Sequence, residues 1–363
     1  MVSAHFRILE SLAMNMPQPI AIMGGGLAGL SLGIALRNRN VPVTIHEAGN
    51  YPRHRVCGEF LSGAGQTILD RHGLMPACLA AGGRWARTVA FATESRLGPV
   101  HTLPSPAFCL SRYTLDALLA NEFVKSGGEL HTHERGVPVP NQPGIVHATG
   151  RRPSAQVKGW RWFGVKCHVR HVPLSADLEL HFGPSAYVGL CRLAEDVVNV
   201  CGLFRRRSDE RKPAPSDPRD WLRGSPGSIR FERLLNAEWL THSLCTVAGL
   251  DLRPRRASER TTLRLGDALT MIPPFTGNGM SLALESAALA TDPLVSYSRG
   301  ETDWASACAK FGRAIDSTFT TRLRCSAWLQ RLLFLPAAPA LLLQLTRRDG
   351  CLLRQLFAVT RGG

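Results

Sequence analysis

Lysine is nearly missing from this chain. There are five, Lys125, Lys158, Lys166, Lys212 and Lys310, against a formal net charge of +15, so arginine carries almost all of the positive charge. That balance suits an anionic membrane surface or an anionic substrate. No basic stretch is interleaved with aromatic residues, which sets nucleic acid aside as a partner. None of the ten cysteines forms a C-x-x-C pair or a metal-type cluster. This excludes a zinc site and a disulfide framework, and it predicts free thiols in a reducing compartment. His131 and His133 alternate with no cysteine or acid at ligand spacing and read as solvated.

Long apolar runs and repeats are missing too. Leu332–Leu345 is broken by Pro336 and Pro339 and is too short to cross a bilayer. The opening MVSAHFRILESLAMNM has neither a long apolar core nor a cleavage site, so residues 1–15 are expected to be a disordered leader rather than a signal peptide. These absences point to a cytoplasmic location. Arg331, Arg347, Arg348 and Arg354 around the broken apolar stretch equip it for peripheral membrane contact or for capping a hydrophobic tunnel. The alternative is a C-terminal helix packed on the core.

What the chain does have is a glycine loop in strong context. Ile20–Met23 is a continuous apolar run, as in a strand covered on both faces of a parallel sheet. It leads into Gly24-Gly25-Gly26-Leu27-Ala28-Gly29, which fits G-x-G-x-x-G. In that pattern Gly24 makes the tight turn, Gly26 lets the backbone approach a pyrophosphate, and Gly29 lets helix and strand pack closely. The spacing predicts a helix over 27–37, with the N–H groups near Leu27 and Ala28 and the positive dipole end aimed at the phosphates. Glu47 closes a second apolar run, VPVTIHE, and is placed to accept hydrogen bonds from an adenosine ribose. No basic residue replaces it, which argues against a 2′-phosphate and leaves NAD or FAD.

Residues 263–290, LRLGDALTMIPPFTGNGMSLALESAALA, decide between those two. Leu263–Leu265 reads as a short strand ended by Gly266-Asp267. An acid there, Asp267, can accept hydrogen bonds from a sugar-alcohol chain. Pro273 and Pro274 fix φ and lack N–H donors, which suits a stiff backbone against a flat ring. Gly277-Asn278-Gly279 opens a helix carrying Met280, Leu282 and Leu284, and its N-terminus suits the anionic edge of a reduced flavin.

With these segments the chain resembles the FAD-dependent class A monooxygenase and geranylgeranyl reductase superfamily. The resemblance implies that Asp267 holds the ribityl hydroxyls, that Pro274 lies beside the ring, and that Gly277, Asn278, Gly279 and Met280 meet its pyrimidine edge. CLSRYTLDALLANEFVKSGGEL (109–130) is similar to the family's I-x-R-x-x-L-x-x-x-L segment, which makes Arg112 the arginine that contacts the cofactor. RHRVCGEFLSGAG (53–65) is similar to the C-G-E segment of geranylgeranyl reductases, which lies over the isoalloxazine. Cys57, Gly58 and Glu59 then border the catalytic space, Glu59 as proton donor or relay and Cys57 as a polarizable neighbour of the flavin or part of the substrate wall. Arg53, His54 and Arg55 make its mouth basic, and Arg55 and Gly58 join the cofactor-binding set. Two stretches depart from the relatives. The lobe between Lys125 and Gly144 is trimmed. Tyr187–Leu193 keeps the tyrosine of the reductases' Y-x-W-x-F-P but none of its later hallmarks, and it lacks the halogenases' W-x-W-x-I-P. Tyr187 is the third catalytic candidate.

The expected fold is α/β: a Rossmann-like FAD-binding domain of glutathione-reductase type, p-hydroxybenzoate-hydroxylase-like, with an inserted antiparallel β-sheet substrate domain and C-terminal helices. The FAD-binding domain is expected at 16–84, 109–157 and 246–300, the substrate domain at 85–108 and 158–245, and the helical region at 301–363. Thr88–Thr93, WFGVKCHV, LELHFG, AYVGLCRL and VVNVCGLF read as strands, and 229–242 as helix. Trp160, Trp162, Phe163, Val165, Tyr187 and Leu190 form an apolar floor, which predicts an apolar or aromatic small-molecule substrate. Lys166 and His168 share one strand face and are placed to hold an acidic or phenolic group. There is one dinucleotide fingerprint, so NAD(P)H is expected to visit the flavin transiently. The expected activity is that of a FAD-dependent monooxygenase using NAD(P)H and O2 on a hydrophobic, aromatic or polyketide-like molecule. The alternatives are a flavin reductase saturating isoprenoid C=C bonds and a non-catalytic flavin-binding protein.

Overall fold

The computed structural model describes residues 17–136, 142–151, 159–194, 196–210, 215–259 and 262–348. The expected leader, Lys158, Lys212 and the tail with Arg354 lie outside them.

A four-stranded parallel sheet forms first. Strand β1 (Ile20–Met23) pairs with β2 (Val43–His46) on one side and β7 (Ile145–His147) on the other, and β6 (Glu129–His131) extends β2. His147 makes a parallel bridge to Arg264, so residues 263–265 touch the sheet through that bridge rather than as a full strand. Helix α1 (Leu27–Arg37) is buried on nearly every side, which is why it carries no charge before Arg37. After the short helices α2 (Ala64–Arg71) and α3 (Met75–Ala80) comes α4 (Arg112–Lys125), against which α1 packs at Gly33, where a Cβ would lie 2.7 Å from the Phe123 ring.

The second sheet has eight strands in the order β12-β8-β11-β10-β9-β4-β5-β3. They are β3 (Phe60–Leu61), β4 (Arg84–Ala92), β5 (Leu97–Cys109), β8 (Trp160–Arg170), β9 (Leu178–Gly183), β10 (Ala186–Arg192), β11 (Val198–Arg207) and β12 (Glu238–Ala248). All pairs are antiparallel except β4–β9, the parallel seam where the two stretches of chain meet. The helix expected over 229–242 is instead a short α6 (Ile229–Leu234) followed by β12. Glu238–Ala248 alternates poorly because a register shift between Leu240 and Cys245 interrupts its ladder.

Strand alternation splits the expected apolar floor between two cores. Tyr187, Leu203 and Phe182 face inward with Trp162, Phe275 and Phe334. Val165 and Leu190, with Phe163, face outward beneath Leu222 and Leu234 of α5 (Arg219–Arg223) and α6. Only Trp162 and Tyr187 of the floor therefore share the inner cluster. Helix α7 (Gly279–Ser298) lies on α1, and α8 (Trp304–Leu333) and α9 (Ala338–Arg348) are the last described elements, with a 108° bend between them.

Candidate active site

The glycine loop has a crowded side and an open side. A Cβ at Gly24 or Gly29 would strike backbone, 2.4 Å from the Ala148 carbonyl oxygen and 2.0 Å from that of Gly24 respectively. At Gly26 a Cβ would meet nothing within 4 Å. Gly26 is extended, φ −85° and ψ −173°, and no side chain caps α1. A close-packed turn thus presents bare N–H groups to open space, the geometry of an anion cradle. Glu47, 4% exposed, accepts the Gly25 N–H at 2.8 Å and the Gly49 N–H at 2.8 Å. The Tyr51 hydroxyl donates to the Gly25 carbonyl.

The absence of basic residues near Glu47 holds only along the sequence. In space Arg53 lies 2.5 Å and Arg55 3.8 Å from its carboxylate. Arg55 is drawn to the fully buried Asp116 at 2.9 Å, and its Nη2, which faces Glu47 at 3.8 Å, is buried without a hydrogen bond. A donor with no hydrogen bond beside the loop fits a pyrophosphate oxygen.

The second glycine segment repeats the pattern. Gly277 is left-handed, φ +69°, and Asn278 does not cap α7. Gly279 has open space where a Cβ would point. Ser62 donates to the Asn278 side chain at 3.5 Å and Ser281 to the Ser62 carbonyl, so β3 is fastened to the start of α7. Met280 is buried in the core, Pro274 opens a one-turn 3-10 helix, and Asp267 is half-buried in another. Burial raises the Asp267 pKa, with Arg151 and Arg112 opposing. An acid with raised pKa beside two arginines fits a hydroxyl-bearing ligand chain. Two bare helix starts, an Arg55 donor without a hydrogen bond and this acid are together a fit for FAD.

Arg112 is committed within the protein. It binds Asp116 through Nε at 2.7 Å and Nη2 at 2.9 Å. Burial opposes its charge, but Asp116 prevails and raises its pKa, with Cys57 a lesser partner. The Cys57 thiol is pushed up by burial and stays protonated. Asn199 donates to the Cys57 carbonyl at 2.9 Å, fixing that turn from β11.

Glu59 is the centre of a buried ionic clamp. It is fully buried with a left-handed φ of 59°. One oxygen accepts the Arg112 N–H at 3.0 Å and lies 3.4 Å from Lys166 Nζ, and the other is 2.6 Å from His168 Nε2. Burial favours the neutral acid, but the His168 hydrogen bond and then Lys166 override it and hold the carboxyl below its ordinary pKa. Glu59 is therefore an ionised anchor, not a group holding a proton to donate. The acid that Lys166 and His168 bind is the protein's own. His54 closes the cluster, with Nδ1 3.2 Å from Lys166 Nζ, and its pKa is lowered to about 4 by burial and then by Lys166. His54, Glu59 and His168 could converge on a metal ion, but the Lys166 ammonium contacts both His54 and Glu59 there. The bulge in β12 supports the clamp, since Ser243 accepts the His168 N–H at 2.7 Å.

Tyr187 lies in the inner cluster, edge-on to Phe275 and tilted against Phe334, with both ring centroids 6.2 Å away. It is 5% exposed, and its hydroxyl makes no hydrogen bond of ordinary geometry. Burial raises its pKa well above 10. His131, expected to be solvated without an acid, stacks on His46 and binds Glu129 at 2.9 Å.

Sequence reasoning missed Asp116, Asn199 and Arg151. The i, i+4 spacing of Arg112 and Asp116 was an available signal. Asn199 and Arg151 had none, because only the tertiary fold brings them to Cys57 and Asp267.

No family model and no curated protein matches the sequence, but solved structures match the fold. The flavin-dependent brominase Bmp2 aligns at 17% identity over 95% of this chain and 93% of its own, with a TM-score of 0.72. A geranylgeranyl bacteriochlorophyll reductase-like protein from Thermoplasma acidophilum aligns at 15% identity over 94% and 96%, with a TM-score of 0.72. PqsL from Pseudomonas aeruginosa aligns at 17% identity over 94% and 99%, with a TM-score of 0.65. Two bare glycine-opened helix starts, an eight-stranded sheet and this set of structural neighbours agree: the chain shares the fold of the brominase Bmp2, PqsL and the reductase-like protein.

Proposed function

We propose that this protein is a FAD-dependent oxidoreductase, and within that class a monooxygenase that uses NAD(P)H and O2 on a hydrophobic or aromatic, polyketide-like molecule. The observation that carries the cofactor is the pair of open glycines, Gly26 and Gly279, at the bare starts of α1 and α7. The loop at Gly24–Gly29 and Arg55 hold the pyrophosphate, and Glu47 holds the ribose. Asp267 takes the ribityl hydroxyls, and Pro274 and Gly277–Met280 flank the ring. FAD, when bound, accepts a hydride and either passes it to a substrate or activates oxygen.

The chain's own residues bind, orient and keep water out. The clamp on Glu59 fixes Cys57 and Gly58 at the edge of the ring site. The inner cluster of Trp162, Tyr187, Leu203 and Phe275 supplies the apolar surroundings. The Tyr187 hydroxyl, buried there with no hydrogen bond of ordinary geometry, supports an oxygen-bearing substrate, because a buried donor gains most from a partner the ligand brings. A second reading, a reductase of isoprenoid double bonds, draws on Cys57-Gly58-Glu59.

Oxygen uptake separates the two. With NAD(P)H and candidate aromatic substrates, substrate-dependent O2 consumption and a hydroxylated product are expected. Anaerobic formation of a saturated product from an isoprenoid alkene would overturn the monooxygenase reading.

A further inference from the structure

We propose that the elbow between α8 and α9 docks on an anionic lipid bilayer. The exposed face of α8 is polar along most of its length, through Lys310, Arg313, Ser317, Thr321 and Arg324. It then turns apolar: Trp328 is 61% exposed, and Leu332 and Leu335 follow on the same face. Leu341 and Leu345 continue the apolar surface on α9. Among the described residues no single helix is long and apolar enough to cross a membrane, but the pair passes that test together, with its 108° bend. A sharply bent apolar pair suits lying in the interface rather than spanning it.

Charge selects the partner. Between Ser317 and Arg348 there is no acidic residue, while Arg324 and Arg331 flank the exposed Trp328 and Leu332. A two-fold contact with a second copy would set these arginines against themselves, whereas an anionic headgroup layer complements them. A tryptophan at the boundary between basic and apolar surface suits the headgroup level.

The elbow is anchored on the inner apolar cluster. Phe334, buried and next to exposed Leu335, packs edge-on against Trp162 at 5.2 Å and tilts against Tyr187. Arg205 donates to its carbonyl at 3.2 Å and lies 4.3 Å above its ring. The exposed Leu335 is thus one residue away from a buried ring that holds the elbow on the body of the protein.

The test is sedimentation of the full chain with phosphatidylcholine vesicles, with and without about a third phosphatidylglycerol, compared with the triple variant Trp328→Ser, Leu332→Ser, Leu335→Ser. Binding to the anionic vesicles is expected to fall at least about tenfold in the variant and in high salt. A control at exposed apolar residues elsewhere, Leu79→Ser with Val124→Ser, should bind as the parent does. Circular dichroism and thermal melting of each variant establish that it is folded. Absence of binding by the parent chain, or equal binding by the elbow variant, overturns the proposal. A dimer that the elbow variant dissolves would assign the face to a second copy instead and also overturns it. Vesicle binding needs no turnover, so failure of the oxidoreductase reading leaves this result intact.

Discussion

The cofactor cradle and the clamp beneath it are built by opposite means. The cradle is backbone: glycines spaced along a short stretch, two bare helix starts, and few side chains. The clamp is side chain: Glu59 from one loop, Lys166 and His168 from β8, and the N–H of Arg112 at the start of α4. A backbone site tolerates almost any side chain that points away but no Cβ at its closest approaches. A buried ionic site tolerates the loss of both partners far better than the loss of one.

Breaking one partner of the clamp gives the largest effect. Lys166→Met should cost about 3–5 kcal/mol, because Glu59 is then buried beside one fewer cation. Glu59→Gln with Lys166→Met should recover more than half of that. Urea unfolding of the three variants measures it, and a double variant as unstable as the single would show that the pair is not coupled.

The cradle predicts a contrast between neighbouring glycines. Gly29→Ala, whose Cβ would fall 2.0 Å from a carbonyl oxygen, should cost about 3 kcal/mol. Gly26→Ala should leave the melting temperature of the cofactor-free protein within about a degree of the parent, because its Cβ enters open space. Equal losses at both glycines would remove the distinction between a packed and an open side.

Acid sharpens the comparison further. His54 and His72 both have pKa values lowered to about 4 by burial, so the unfolded chain binds more protons than the folded one between about pH 6.5 and 4. Stability should therefore fall as pH drops through that window, by about 1 kcal/mol for each partly exposed histidine. His72→Gln should flatten the profile measured by urea midpoints. The smallest effect belongs to Tyr187→Phe. Its hydroxyl has no hydrogen bond of ordinary geometry, so stability should change by about 0.5 kcal/mol or less while turnover falls if the substrate meets that hydroxyl.

How much was legible follows from the same difference. Strand, glycine turn, helix and acid at 20–47 are local in sequence, and the structure has them in that order. So are the strands of the large sheet from Trp160 to Arg207. What local pattern concealed was depth and partnership. Lys166 and His168 read as a site for a foreign acid because nothing in sequence ties them to Glu59, more than a hundred positions away. Phe163 and Trp162 read as one floor because both are aromatic, yet the period of two sends them to opposite faces. The β12 bulge hid a strand in a stretch that passed for helix.

The most direct test of the account is the absorbance spectrum of the purified protein, with its melting temperature before and after adding FAD. Flavin bands from one FAD per chain are expected, together with a higher melting temperature when FAD is present. Gly26→Ala should lose both while staying folded. A folded parent protein that is colourless and gains no thermal stability from FAD would contradict the central claim.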